Sequence, residues 1–444
     1  MHDRSARGME LAENYVRGEI SPAGRTGTLA AFSGLQGIPP GRGLTGPGPG
    51  TIEDEGSMRR LRPAGGSPRL AGRKVLVVLA SFELGGAERQ ALILARHLAH
   101  REGADVGVWG LGAAGPVEGL CREAALPSRV IPVAAAGGRF ATFLAVARAA
   151  RELRRAGADV LIPYTLVPNV VCGCAARKGG SPAAIWNQRD TGLQFLGRRL
   201  ERWAIRRTRG VVANARAGAE FLHERLGVDP RRVRIVPNGV ETATGGDDAR
   251  TVRSRLGLGE KDFVVCMVAN LHANKDHETL LRAWRILTDR WAVPGRGCVL
   301  VLAGRHGEMH ARLVELAGEL GIEGCVRFPG PIEDVPALLR AADLAVMSSR
   351  AEGCPNAVLE AMAAGLAIVG TDTAGIRGAV GPDGDPLLAR AGDAGALAEK
   401  LRLAASDDAL RTGLGAAMRR RATEEFGSDA MSATMTRIVL EVLP

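Results

Sequence analysis

Arg350-Ala-Glu-Gly-Cys-Pro-Asn-Ala-Val-Leu-Glu360, running on through Ala-Met-Ala-Ala-Gly365, is the stretch on which the fold turns. Leu344-Ala-Val-Met-Ser348 before it and Leu366-Ala-Ile-Val-Gly370 after it each read as a buried strand. The local order is therefore strand, Gly-containing loop, helix, strand, which is one turn of a parallel α/β sheet. Glu352 falls in the loop and Glu360 one turn inside the helix. Pro355 suits the start of a helix, and Asn356 is a good capping residue. The first N–H groups of that helix, from Asn356 through Ala357 and Val358 to Leu359, lack intrahelical acceptors and carry the positive end of the dipole. Two carboxylates beside free N–H groups suit a ligand with hydroxyls at both ends and phosphate in the middle. A nucleotide sugar is such a ligand.

The same alternation extends in both directions. Lys74-Val-Leu-Val-Val-Leu-Ala80 is a first buried strand, and Ser81-Phe-Glu-Leu-Gly-Gly-Ala-Glu-Arg-Gln90 turns into a helix. In that turn Gly85 and Gly86 can take positive φ and have no Cβ to block a close approach. Further strands are expected at 104–110, 129–133, 158–164, 183–189, 210–214 and 233–239. Pro237-Asn238-Gly239 is a turn signal, and residues 240–260 read as a linker. A second series opens with Asp262-Phe-Val-Val-Cys-Met-Val-Ala269 and continues through strands at 297–304 and 326–332. The pattern predicts two doubly wound parallel-sheet domains of the Rossmann type, 73–240 and 241–428, with a last helix at about 429–442 crossing back onto the first.

Residues 1–72 are rich in Gly, Pro, Ser and Arg and cannot bury enough apolar surface to offset ordering entropy, so a disordered extension is expected. Met58, just ahead of the protein-like sequence, is a candidate start, with residues 1–57 an extension of the gene model. No run of apolar residues is long enough for a membrane span, and the N-terminus lacks a secretory apolar core. The seven cysteines are scattered and odd in number, which predicts reduced thiols in a cytoplasmic protein. Cys354 lies in the site loop and reads as a small filler.

Charge is unevenly spread. Residues 75–240 carry 24 Lys and Arg against 13 Asp and Glu, whereas residues 241–444 carry 23 against 28. A basic first domain attracts anions. No nucleic-acid module is recognisable, so an anionic membrane surface or a lipid phosphate is the expected partner, and nucleic acid is not. Leu196-Gly-Arg-Arg-Leu-Glu-Arg-Trp-Ala-Ile-Arg-Arg-Thr-Arg209 reads as a basic helix. Its apolar face would hold Leu196, Leu200, Trp203 and Ala204, a stripe that either packs on the core beneath a solvated charged face or lies peripherally on the inner face of a membrane.

Taken whole, E-G-x-P-N-x-x-L-E-A-M-A-x-G between two strands, with Glu352 and Glu360 as its acids, resembles the E-x7-E element of retaining glycosyltransferases of family GT4. That resemblance implies the GT-B fold and sugar transfer from a nucleotide-sugar donor. The acceptor would be lipid-linked, a polysaccharide or a small molecule, in cell-envelope or exopolysaccharide synthesis. It further implies roles. Glu352 would accept hydrogen bonds from the donor sugar, Glu360 from the ribose, and Gly353 would lie in the donor loop. The turn at Gly85 and Gly86 resembles the family's N-terminal element, which meets the donor phosphate across the cleft. Asn270-Leu-His-Ala-Asn-Lys275 matches a segment that often reads R-x-x-x-x-K and clamps the diphosphate. Lys275 is the second cation; Asn270 replaces the first and brings no charge. The nucleobase would lie near Arg305 and Pro331. Lys275 and the helix end would take the charge of a metal, so no metal or other cofactor is expected.

Two further departures are visible. A His often follows the strand that here ends at Tyr164, and Gly378 stands where the family often has a carboxylate. Ligands of doubly wound sheets bind beyond the carboxyl ends of the strands. Tyr164, Thr165, Asn169, Arg189 and Asp190 are therefore the acceptor-side candidates. A nonhydrolysing sugar-nucleotide 2-epimerase, which shares the fold, and a noncatalytic binding protein that keeps it remain alternatives.

Overall fold

A computed structural model describes residues 69–131, 133, 138–177, 180–190, 198–241, 247–290 and 297–443, with the side chains of 138–142 left aside. Seven strands build the first sheet: β1 (Lys74–Leu79), β2 (Asp105–Gly110), β3 (Ser128–Val130), β4 (Val160–Pro163), β5 (Ala183–Gln188), β6 (Gly210–Ala213) and β7 (Val233–Ile235). They lie in the order β3-β2-β1-β4-β5-β6-β7, all parallel. Six build the second: β8 (Phe263–Val268), β9 (Cys298–Ala303), β10 (Val326–Gly330), β11 (Leu344–Met347), β12 (Ile368–Thr371) and β13 (Leu388–Ala389). Their order is β10-β9-β8-β11-β12-β13, again parallel. Each sheet is buried on both faces by helices, which is why its central strands read as unbroken apolar runs, whereas the edge strands β3 and β7 are short and largely exposed. In both, the order reverses beside the first strand in sequence, placing a ligand crevice beyond the ends of β1 and β4, and of β8 and β11.

The chain passes between the sheets twice, at one place. Val240 donates to the Phe426 carbonyl at 2.7 Å, and Ser428 donates to the Val240 carbonyl at 3.0 Å. Gln90 clasps this crossing with both ends of its amide, donating to Gly239 O at 2.7 Å and accepting from Gly239 N at 2.8 Å. Beyond the crossing, the helix Ser428–Val442 buries Met431, Met435, Ile438, Val439 and Val442 in the core of the first sheet.

Three expectations need correction. Residues 69–72 fall inside the extension expected to be disordered, yet Leu70 is fully buried, its N–H donates to Glu102 O, and Arg69 pairs with the Glu102 carboxylate. Residues 1–68, with Met58 among them, lie outside the described residues. β13 has only two residues, too short for a periodicity, and the sequence reading omits it. The basic helix spans Arg198–Ile205 and turns a different face inward. Ala204 packs so closely on Gly173 that a Cβ there would strike it, which draws Glu201, Ala204 and Ile205 into the core. Leu200 and Trp203 are left outward, 40% and 49% exposed, with Arg207 over the Trp203 ring. Leu196 lies outside the described residues.

Candidate functional site

The loops at the carboxyl ends of β8 and β11 hold the charged centre. After β8 the chain makes a short turn, Ala273–Lys275, and Asp276 takes a left-handed φ of 50° to start the next helix. Two contacts fasten this turn to the end of β11. Ser348 Oγ donates to Lys275 O at 2.8 Å, and Arg350 N donates to Asn274 O at 2.9 Å. Lys275 Nζ thereby reaches Glu352 Oε1 at 2.6 Å, and both side chains are largely buried. Gly375 lies against this loop with no room to spare, because a Cβ there would collide with the carbonyl oxygens of Glu352 and Gly353.

The helix after the loop spans Asn356–Ala363 with Pro355 at its cap position. Asn356 does not cap it. The Asn356 side chain instead ties the two domains, its Oδ1 accepting from Asn238 Nδ2 at 2.5 Å and its Nδ2 donating to Gly86 O at 2.9 Å. The N–H groups of Val358 and Leu359 both donate to Pro355 O, so those of Asn356 and Ala357 are the ones open to an anion. Four free donors were expected from the sequence, and the tightened first turn uses two of them. Glu360 lies deeper, where burial pushes its carboxyl up, opposed by the nearby Arg89 guanidinium.

Gly85 and Gly86 are needed for space and not for positive φ. Gly85 is extended at φ −136°, and neither residue is in the left-handed region. A Cβ at Gly86 would lie 2.8 Å from Asn356 Nδ2. The close approach is thus made to the opposite domain. Asn270 Oδ1 accepts the Arg305 backbone N–H at 3.1 Å, so this side chain braces the neighbouring loop. Arg305 reaches across the cleft to Glu83 at 3.5 Å. Among the described residues no group of three or more His, Cys, Asp or Glu could hold a metal ion.

On the first-domain side, the buried Tyr164 ring lies under the Arg189 guanidinium at 5.1 Å, and Arg189 donates to Asn238 Oδ1 at 2.5 Å. Burial lowers the Arg189 pKa, and no carboxylate among the described residues pairs with it. Thr165 holds a φ of 74° at the start of the helix Leu166–Ala175, and its buried hydroxyl has no partner among the described residues. Asn169 is not a cleft residue: its amide clips the backbone of Asn187 at 2.9 and 2.8 Å. Asp190 accepts from Gln188 Nε2 at 2.8 Å. The Cys354 thiol is pushed up to about 11 by burial and accepts from Asn238 N at 3.4 Å, which fits a filler. Sequence reading missed Asn238, Asn214, Ser349 and Thr371. Asn238 stood in a recognised turn signal, but nothing local showed that the turn meets the opposite domain.

Two family models match the chain, glycosyltransferase family 4 over residues 84–244 and glycosyl transferases group 1 over residues 248–421. The chain belongs to these glycosyltransferases. The crystal structure of Anabaena Alr3699/HepE in complex with UDP and glucose superposes with a TM-score of 0.71 at 20% identity, covering 83% of this chain and 100% of that one. WaaG, a glycosyltransferase involved in lipopolysaccharide biosynthesis, superposes with a TM-score of 0.64 at 20% identity, over 82% and 99% of the two chains. Together they establish the GT-B fold, two parallel-sheet domains facing a cleft. A D-inositol 3-phosphate glycosyltransferase of Salinispora arenicola is 35% identical over 48% of this chain and 50% of its own length. The putative glycosyltransferase EpsF of Bacillus subtilis is 30% identical over 45% and 53%. The chain spans about half the length of the curated relatives it matches. Lys275, Glu352 and the Asn356 helix all lie within the group 1 match.

Proposed function

We propose that the chain is a retaining glycosyltransferase that takes its sugar from a nucleotide-sugar donor seated on the second domain. The contact of Lys275 Nζ with Glu352 Oε1 at 2.6 Å, beside the open N–H groups of Asn356 and Ala357, carries this reading. The cation and the helix end are placed to stabilise charge as it develops on a leaving diphosphate. Glu352 and Glu360 would accept from sugar and ribose hydroxyls, and the leaving phosphate would take the acceptor proton. A neighbouring structure that binds UDP and glucose on the same fold supports a uridine donor.

The acceptor side favours a small anionic polyol. Arg189 is a desolvated cation whose described neighbours are an amide and an aromatic face. Asn214, which donates to Arg189 O, has a buried Oδ1 with no partner among the described residues, and so has Thr165 Oγ1 at the end of the Tyr164 strand. Burying such groups costs free energy unless a ligand satisfies them. Relatives named for inositol 3-phosphate point the same way. A thermal-shift screen with UDP-glucose, UDP-N-acetylglucosamine and GDP-mannose tests the donor, because a ligand bound to the native state raises the melting temperature. Nucleoside diphosphate release with inositol phosphates then tests the acceptor. A chain that no nucleotide sugar stabilises overturns the proposal.

The outward Leu200 and Trp203, ringed by arginines, favour a second reading in which the first domain rests on an anionic membrane and the acceptor is a lipid phosphate. No helix among the described residues is long and apolar enough to cross a membrane. Cosedimentation with anionic vesicles tests this surface; binding lost in Leu200→Asp/Trp203→Ser supports it, and no binding by the wild type overturns it.

A further inference from the structure

The chain leaves β11 through two serines, Ser348 and Ser349, both fully buried. Their hydroxyls serve different halves of the charged centre. Ser348 holds the backbone of Lys275 at 2.8 Å. Ser349 Oγ donates to Glu352 Oε1 at 2.6 Å, the same oxygen that Lys275 Nζ meets at 2.6 Å. The Ser349 hydroxyl also lies 3.3 Å from Met347 Sδ. It has one proton to give, and a carboxylate is the stronger acceptor. Its own carbonyl accepts from Thr371 Oγ1 at 2.5 Å, so the turn is pinned from the neighbouring strand β12. Thr371 is fully buried as well.

Glu352 Oε1 thus has two donors, and no described residue donates to Oε2. Lys275 alone would hold the carboxylate loosely, since its ammonium sits on a flexible four-carbon stem. Ser349 has a short side chain on a strand end and sets the carboxylate angle. A group must be held within about 0.5 Å to act on a ligand in one orientation, and the residues behind it supply that restraint.

We propose that Ser349 is a positioning residue that fixes the Glu352 carboxylate through Oε1 and so leaves Oε2 to accept from hydroxyls of the donor sugar. This rests on the donor-site reading given above. Ser349 is fully buried behind the carboxylate it holds, so its loss separates sugar recognition from diphosphate binding.

The test measures calorimetric affinities of the full chain for UDP, UDP-glucose, GDP and GDP-mannose. Wild type, Ser349→Ala, Glu352→Gln and the double variant are compared. The wild type is expected to bind one nucleotide sugar more tightly than its diphosphate. In Ser349→Ala that preference falls about fivefold or more, the loss of one hydrogen bond to a charged group, while diphosphate affinity stays within about twofold. In the Glu352→Gln background Ser349→Ala adds nothing further, because the partner through which it acts is already neutral. A structural serine would instead lower diphosphate and sugar affinity together, along with the melting temperature. An unchanged preference in Ser349→Ala overturns the inference alone, as does a full additional loss in the double variant or an equal loss of diphosphate affinity. A wild type with no preference for either sugar overturns the donor reading and the inference with it.

Discussion

Asn356 Nδ2 donates to Gly86 O at 2.9 Å across the cleft, so the two turns that open onto the donor site are joined by a side chain. The same Asn356 amide accepts from Asn238, which in turn accepts from Arg189. One chain of hydrogen bonds therefore connects the donor helix, the crossing between domains and the first-domain cation. Such a connection ties the two sides of the cleft together through one set of contacts.

Gly86→Ala should break this approach. Its Cβ would lie 2.8 Å from Asn356 Nδ2, and inserting a methyl into such a contact costs about 1–3 kcal/mol. We expect kcat/KM to fall about tenfold or more with an unchanged circular dichroism spectrum. Gly85→Ala should cost less, since its Cβ would meet the Glu88 carboxylate at 2.7 Å and nothing from the opposite domain.

Glu352→Gln and Lys275→Met should separate two roles. Glu352→Gln keeps the shape but not the charge, and turnover should fall about a hundredfold while the melting temperature moves by no more than a few degrees. Lys275→Met leaves Glu352 without its cation partner. Diphosphate affinity should fall about tenfold or more, and the apo chain should lose stability because a largely buried carboxylate is unpaired. Both follow from diphosphate titrations and thermal melts.

Glu360 gives the chain a pH signature. Burial raises its folded pKa, so the native state binds the proton more tightly than the unfolded chain. Stability from this group is then fully present below the unfolded carboxylate range and is lost as pH rises through the raised folded value. Glu360→Gln should therefore melt above the wild type at neutral pH, and the difference should close as the pH drops to about 4. Thermal melts of the two chains across pH 4 to 7 check the sign.

Arg189→Gln should act on the acceptor alone. It removes a desolvated cation that no described carboxylate balances, so the chain should melt at or above the wild-type temperature. If an anionic acceptor pairs with this residue, acceptor KM should rise about tenfold or more while donor KM stays put. Initial-rate measurements with each substrate varied in turn decide it.

Much of this was legible beforehand for a local reason. The central strands, such as β1, β4, β8 and β11, are near-continuous apolar runs because helices cover both faces of each sheet, and the turns after them carry Gly, Pro and Asn. Lys275 and Glu352 each stand at a strand end, where doubly wound sheets bind ligands. The capping role of Asn356 was a sound local inference that tertiary contact overrode, since its amide finds better-placed partners in Asn238 and Gly86. The inward face of Arg198–Ile205 was misread for a similar reason. Periodicity favoured Leu200 and Trp203, but the small pair Gly173 and Ala204 set how the helix docks.

The sequence by itself determined the alternation of strands and helices, the two sheets, and which turns face the cleft, because each of these follows from apolar period and turn chemistry within a few residues. Only the tertiary structure decided what those turns do to one another. That Gly86 is small for the sake of Asn356, that Lys275 reaches the Glu352 Oε1 already held by Ser349, and that Asn238 links Arg189 to the donor helix all depend on residues between 49 and 270 positions apart. Such contacts arise from packing two sheets against one crossing, and no local pattern encodes them.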